Sequence, residues 1–199
     1  MTTSEKSSGD GSDRKYAGLR HDSPVRKLLR ADFEALIGID HVKNRGLRRT
    51  FDVLTQAGFL SVVTFRAAHA AHLRGWFPVA RLLLLTGVVL FSAEIYPQAQ
   101  IGPGFVVAHP MGIAIGAGVV IGENVKVFKS VSVGTVGFRD PDRDGFPVIG
   151  SNCTLFDGAK VFGPITLGDG CRVGANALLM RSIAAGSTVV APQAELLGA

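Results

Sequence analysis

Apolar and polar positions follow two different periods in this chain, and the change falls at Glu94. Before it, apolar residues recur at helical spacing. "SPVRKLLRADFEALI" puts Val25, Leu28, Leu29, Phe33, Leu36 and Ile37 on one helix face, with Ser23 as N-cap and Pro24 at the first helical position. "RTFDVLTQAGFLSVVTFRAAHAAHLRG" predicts further helix that stops at Gly75. "PVARLLLLTGVVLFSA" predicts a last helix from Pro78. Its run from Leu82 to Ala93 is too short for a bilayer span and fits a buried helix.

After Glu94 the period is six. The chain reads "IYPQAQ IGPGFV VAHPMG", then from Ile115 "IGAGVV IGENVK VFKSVS VG", then from Ile149 "IGSNCT LFDGAK VFGPIT LGDGCR VGANAL LMRSIA AGSTVV". The first place is almost always Ile, Leu or Val, the second is often Gly, and the fifth is often Ala, Val, Cys or Ile. This is the hexapeptide repeat of a parallel β-helix. Each hexad gives a short strand and a corner, and three hexads close one triangular coil. The aliphatic first residue points inward and stacks on its counterparts in the coils above and below. Gly and Asn take corner conformations that β-branched residues resist. About a dozen hexads make roughly four coils. Solenoids of this kind wind left-handed; that hand belongs to the known architecture, not to the spacing. The expected fold is therefore α+β: an N-terminal α-helical segment, then a left-handed parallel β-helix with one projecting loop. The expected domains are a disordered leader (1–22, rich in Ser, Gly, Lys and Asp), a helical domain (23–93) and the β-helix (94–199).

The repeat breaks twice. Between Val107 and Ile115 there are eight residues instead of six, and His109 sits in the surplus. Between Val133 and Ile149 "GTVGFRDPDRDGFPV" interrupts, too charged and Pro-rich for an interior. Loops projecting from a rigid scaffold are where sites are often built. From the residues alone, His109 is either a filler at an irregular corner or a working imidazole. Glu94 is either a solvated junction or its partner.

Composition narrows the classes. With 199 residues, 47% hydrophobic and 19% charged, the chain fits one globular domain with an appendage. The formal charge of +5 gathers partly in "RKLLR" and "KNRGLRR". No nucleic-acid motif accompanies these clusters, so they read first as solvated helix faces and second as attraction for a phosphate-bearing ligand. Cys153 and Cys171 occupy interior-type repeat places and lack metal-ligand spacing, so buried reduced thiols are expected. His69 and His72 stand at i, i+3 on a helix without further ligands, which favours packing over metal. A three-histidine hydratase site is excluded, since His109 is the one histidine of the repeat region. The polar N-terminus has no apolar signal region, so a cytoplasmic protein is expected.

Four segments together, "GFLSVVTFRAAHAAHLRG", "EIYPQAQIGPGFVVAHPMGIAIG", "VFKSVSVGTVG" and "GPITLGDGCRVGANALL", resemble the serine acetyltransferases, bacterial enzymes that move acetyl from acetyl-CoA to the serine hydroxyl. The resemblance runs from about Asp32 to Val190. It implies that His109 is the general base and that Glu94 orients it. It implies acetyl-CoA as donor substrate, held in a groove between neighbouring solenoids of a homotrimer, with Gly134, Gly137 and Ala175 as candidate contacts. Lys160, Arg172 and Arg181 are either CoA-phosphate contacts or surface charge. A dimer of trimers is the larger assembly, weakened here by a short helical part. No metal, nucleic acid or stable membrane insertion is implied.

Two departures concern the acceptor. Ala108 stands where the family usually has Asp, and Gly145, Phe146 and Pro147 stand where it usually has Arg-His-Pro. Those family residues read the amino and carboxylate groups of serine and supply a second imidazole. Ala108, Arg139, Arg143 and Phe146 are the candidate acceptor-pocket residues here, with either arginine able to recover a carboxylate contact. The expected function is acetyl-CoA-dependent O-acetylation of a small hydroxyl compound that need not be free serine. The alternatives are a true serine acetyltransferase of cysteine biosynthesis and a non-catalytic solenoid.

Overall fold

The computed structural model describes residues 24–39, 51–52, 54–137 and 145–194. The proposed leader, Ser23, the basic run after Lys43, Arg139 and Arg143 lie outside the described residues.

The hexads coil as their period predicts. The first coil holds β1 (Ala93–Ile95), β2 (Gln100–Ile101) and β3 (Val106–Val107), and the second holds β4 (Ile113–Ile115), β5 (Val120–Ile121) and β6 (Lys126–Val127). The third holds β7 (Ser132–Gly134), β8 (Val148–Ile149) and β9 (Thr154–Leu155), and the fourth β10 (Lys160–Phe162), β11 (Thr166–Leu167) and β12 (Arg172–Val173). A last partial coil adds β13 (Leu178–Leu179) and β14 (Thr188–Val189). All pairings are parallel, and they form three faces: β1-β4-β7-β10-β13, β2-β5-β8-β11 and β3-β6-β9-β12-β14. The result is the left-handed parallel β-helix expected from the repeat.

The first and fifth places fill the interior. Ile101, Ile121, Ile149 and Leu167 stack under one face, and Val107, Val127, Leu155 and Val173 under another, all buried. Val119, Val125, Val131, Cys153, Ala159 and Cys171 are buried beside them. Both cysteines are free thiols, as expected. Two corners turn through left-handed residues stacked coil on coil. One column is Gly104, Asn124, Asn152, Gly170 and Gly186; the other is Ser92, Gly112, Ser130, Gly158 and Asn176. Only Gly and small polar residues appear there, because a Cβ of ordinary size opposes the left-handed backbone.

Three helices precede the solenoid: α1 (Val25–Ile39), α2 (Ala57–Leu73) and α3 (Phe77–Phe91). The Pro24 carbonyl accepts from Lys27 N–H at 2.8 Å just before α1 begins. Gly75, at φ 74°, ends α2 as predicted, and Trp76 N–H closes the turn on the Ala71 carbonyl at 2.9 Å. The expectation that the run from Leu82 onward is buried is only half met. Leu84 and Gly87 are buried, but Leu82, Leu85, Val89 and Leu90 are exposed in the single chain. The apolar residues cover the whole circumference, while α2 and β1 cover one side. Among the described residues no helix is long and apolar enough to cross a membrane.

A buried ion pair clasps the helices to the first coil. Arg66 on α2 donates Nε and Nη2 to the Asp32 carboxylate of α1 at 2.9 and 3.0 Å. Nη1 also donates to the Ile101 carbonyl and Nη2 to the Gly102 carbonyl, both at 2.6 Å. Asp32 also accepts from Phe105 N–H at 2.8 Å. Burial pushes the Asp32 carboxyl up, and the Arg66 guanidinium pulls against that shift.

Candidate active site

The slip at His109 is an enlarged corner. Val107 pairs with Val127 and Ala114 with Ser132, so the first coil carries two more residues here than the corner above. The enlarged turn is pinned on both sides. Ala108 N–H donates to the Val127 carbonyl at 3.0 Å, Gly112 N–H to Ser92 at 2.9 Å, and Ser130 N–H to Met111 at 2.9 Å. Pro110 is buried, and His109 before it is exposed. The surplus residues thus lift the imidazole out of the stacked interior.

The start of α2 packs on the same turn. Gly58 lies against the Val107 and Ala108 carbonyls so closely that a Cβ there would collide with backbone. Around the turn is a cavity of about 670 Å³. Gln56, Ala57 and Gly58 of the α2 end, Leu90, Phe91 and Ser92 of the α3 end, and Ala108, His109, Pro110 and Met111 line it. No charged side chain is among them. Among the described residues the cavity's polar side chains are Gln56, Ser92 and the His109 imidazole, and the rest of the lining is small or apolar.

The remaining predicted residues divide between places. Glu94 is exposed in the middle of β1, beside Ala114. Among the described residues no hydrogen bond or ion pair joins it to His109. Ala175 sits at the same corner as His109, three coils further on, just before Asn176 at φ 56°. Gly134, Gly137 and Phe146 occupy the opposite edge of the β1-β4-β7-β10-β13 face. There the Thr135 hydroxyl donates to the Gly137 carbonyl at 2.9 Å, and the Phe146 ring fills the space over Gly116 and Gly118. One chain therefore brings Ala108, His109 and Ala175 to one edge, and Gly134, Gly137 and Phe146 to another. Lys160 is engaged within the chain, its Nζ donating to the Ser130 carbonyl at 2.7 Å and the Ser132 hydroxyl at 3.0 Å.

Two features escaped the sequence. Phe128 and Phe156 stack face to face at the His109 corner, with ring centroids 5.4 Å apart and planes 20° from parallel. Each follows the aliphatic residue of its hexad, at the place where Gly is frequent. That substitution was the available signal, but their adjacency requires excising the long loop between them. The cavity walls from α2 and α3 gave no signal of their own. His69 contacts the Pro97 carbonyl through Nδ1 at 2.7 Å, and among the described residues no cluster of His, Cys, Asp and Glu could hold a metal ion.

No protein-family model matches the chain. The serine acetyltransferase of Helicobacter pylori strain J99 is 34% identical over 145 residues, covering 73% of this chain and 84% of that protein. The chain belongs to the serine acetyltransferase family. The Bacillus subtilis serine acetyltransferase is likewise 34% identical, over 82% of this chain and 73% of its own length. Among solved structures, serine acetyltransferase isoform 3 of Entamoeba histolytica, in complex with cysteine, superposes with a TM-score of 0.77 at 26% identity. The match covers 88% of this chain and 61% of that one, so this chain spans less than two thirds of that serine acetyltransferase. The Brucella abortus serine acetyltransferase in complex with coenzyme A superposes with a TM-score of 0.75 at 28% identity, over 86% and 66% of the two chains.

Proposed function

We propose that this chain transfers an acetyl group from acetyl-CoA to the hydroxyl of a small, largely uncharged molecule, with His109 as general base. The observation that carries the reading is the exposed His109 imidazole on the wall of a cavity whose lining, among the described residues, carries no carboxylate, lysine or arginine. Family membership supplies the reaction class, and the CoA complex of the Brucella relative supplies the donor.

A hydroxyl is a poor nucleophile near neutrality, and a neutral imidazole can take its proton as the oxygen attacks. The new C–O bond forms at the thioester carbonyl and leaves a tetrahedral oxyanion, which backbone N–H groups stabilise. Collapse breaks the C–S bond. The imidazolium returns its proton to the departing thiolate, giving the ester and free CoA. Glu94 orients the ring and stabilises its charged form, as a carboxylate partner does for other catalytic imidazoles. The donor groove is built between copies in a homotrimer. The edge with Ala108, His109 and Ala175 faces a neighbour's edge with Gly134, Gly137 and Phe146, which explains why one chain holds them apart. A dimer of trimers extends the same assembly, and the cytoplasm is where the donor is available.

Release of free CoA from acetyl-CoA tests the reading with a panel of alcohols. His109→Ala is expected to lower kcat by about 10²–10⁴-fold with donor binding retained. Undiminished turnover would sink the mechanism. A second reading, true serine acetylation, is favoured by the names of the relatives and by the soybean serine acetyltransferase solved with serine. Serine turnover at ordinary enzyme rates would establish it instead.

A further inference from the structure

Ala108, Phe128, Phe156 and Gly174 are successive rungs of one column at the His109 corner. Ala108 N–H donates to Val127, Phe128 N–H to Leu155, Phe156 N–H to Val173 and Gly174 N–H to Val189, each at the same step of the coil. Adjacent coils stand about 4.7–4.9 Å apart. Two rings at 5.4 Å and 20° are therefore offset-stacked along the solenoid axis. The ladder has only two rings. Above Phe156 the rung is Gly174, and the place is taken by Val190, whose Cγ1 lies 3.5 Å from where a Cβ would be. Below Phe128 the rung is Ala108, whose side chain ends at Cβ. Ala108 also lines the cavity that holds His109. The third rung, where the chain supplies no ring, is thus held by a residue that borders the candidate site, next to His109.

We propose that this rung receives a flat aromatic group of the acceptor, stacked on Phe128, so that the acceptor is an aryl or arylalkyl alcohol. The inference rests on the proposed acetyl transfer and names the class of molecule acetylated. A ring on Phe128 continues a stack already two deep and covers half-exposed aromatic surface. Its hydroxyl, one or two carbons away, falls beside His109. Leu90, Phe91 and Met111, which line the same cavity, give such a group apolar surface. The zwitterion of a free amino acid finds no counter-charge among these residues. Phe128 is a specificity-determining residue in this arrangement, and Phe156 a positioning residue that backs it.

The test uses the full chain, acetyl-CoA, and three acceptors: 2-phenylethanol, 2-cyclohexylethanol and serine. The saturated ring is the more hydrophobic of the two, but only the flat one stacks. The expected result is a kcat/KM for 2-phenylethanol about ten-fold or more above both others. Phe128→Ala should erase that preference, Phe128→Tyr should keep it, and Phe156→Ala should raise KM for the aryl alcohol while leaving KM for acetyl-CoA unchanged. Circular dichroism checks that each variant is folded. Equal use of the phenyl and cyclohexyl alcohols, or better use of serine, overturns the proposal and leaves acetyl transfer standing. So does a loss of acetyl-CoA affinity in Phe128→Ala, which would give the pair to the donor. A fall in oligomer mass in that variant would give the pair to a subunit contact and overturns the proposal in the same way. Absence of CoA release with every alcohol, despite a folded chain, defeats both the reaction and the acceptor class.

Discussion

A Cβ on Gly58 would overlap the Val107 carbonyl oxygen, far closer than van der Waals contact allows, so α2 begins in direct contact with the backbone that carries His109. The residue that can start a helix against this turn is one without a side chain. Gly58→Ala must push α2 and the turn apart, because the obstacle is backbone and cannot rotate away. The expected cost is about 1–3 kcal/mol of stability, read from denaturant unfolding. With His109 as the proposed general base, turnover is expected to fall further than stability implies, by about ten-fold or more in kcat, because small displacements of such a group are costly. A Gly58→Ala variant with native stability and native kcat would show that the turn does not depend on this contact.

The Asp32–Arg66 clasp predicts an asymmetric double-mutant cycle. Both groups are buried, and Arg66 makes four hydrogen bonds, two to Asp32 and two to backbone carbonyls. Asp32→Ala leaves a buried guanidinium without its counter-charge, and the expected loss is about 3–5 kcal/mol. Replacing both partners with apolar residues of similar volume should recover part of that loss. Melting curves of the two singles and the double decide it. A small effect of Asp32→Ala would mean the helices are held to the coil by packing alone.

The two cysteines should be silent toward thiol reagents in the native state. Cys153 and Cys171 have no accessible surface, and burial pushes the Cys153 thiol up to about 11. Near neutrality that group is protonated, and it becomes a nucleophile only as pH rises toward that value. Modification is therefore expected at the rate of unfolding, accelerating together with unfolding when denaturant is added. Fast labelling at neutral pH in buffer alone would contradict the burial.

Glu94 makes no contact with His109 in the single chain, so its role is read kinetically. Glu94→Gln keeps the shape and removes the charge. If the carboxylate supports the imidazolium in the assembled enzyme, kcat falls by about 10- to 100-fold, less than in His109→Ala, and KM for acetyl-CoA holds. An unchanged rate would leave Glu94 as a solvated strand residue.

Much of the fold was legible because a hexad repeats its instructions. Ile121, Ile149 and Leu167 are each the first residue of a hexad, and each is buried where that place demands. The slip at His109 was legible for the same reason: a regular period makes two surplus residues visible. What depended on distance in the chain was not legible. Arg66 meets Asp32 across 34 residues and Ile101 across 35, and nothing in "FRAAH" says which carboxylate it seeks. Phe146 packs on Gly116 and Gly118 at the other margin of the face from His109, a separation that no local pattern states. Local pattern assigns residues to corners, but only closure of the triangle says which corners share an edge.

The coils differ in length without losing register, and the differences are not spread evenly around the prism. From Ile101 to Val106, Ile121 to Lys126, Ile149 to Thr154 and Leu167 to Arg172 the step is constant, turning each time through Gly104, Asn124, Asn152 or Gly170. That edge is a spine. The surplus at His109 and the long loop before Val148 both fall on the margins of the opposite face. Insertions and deletions there leave the stacked ladder untouched, so this molecule can acquire a new acceptor by changing segment length at a margin, and not only by exchanging side chains. Residues added within 102–105 would instead disturb the turn through Gly104 and the bond from Arg66 to the Gly102 carbonyl.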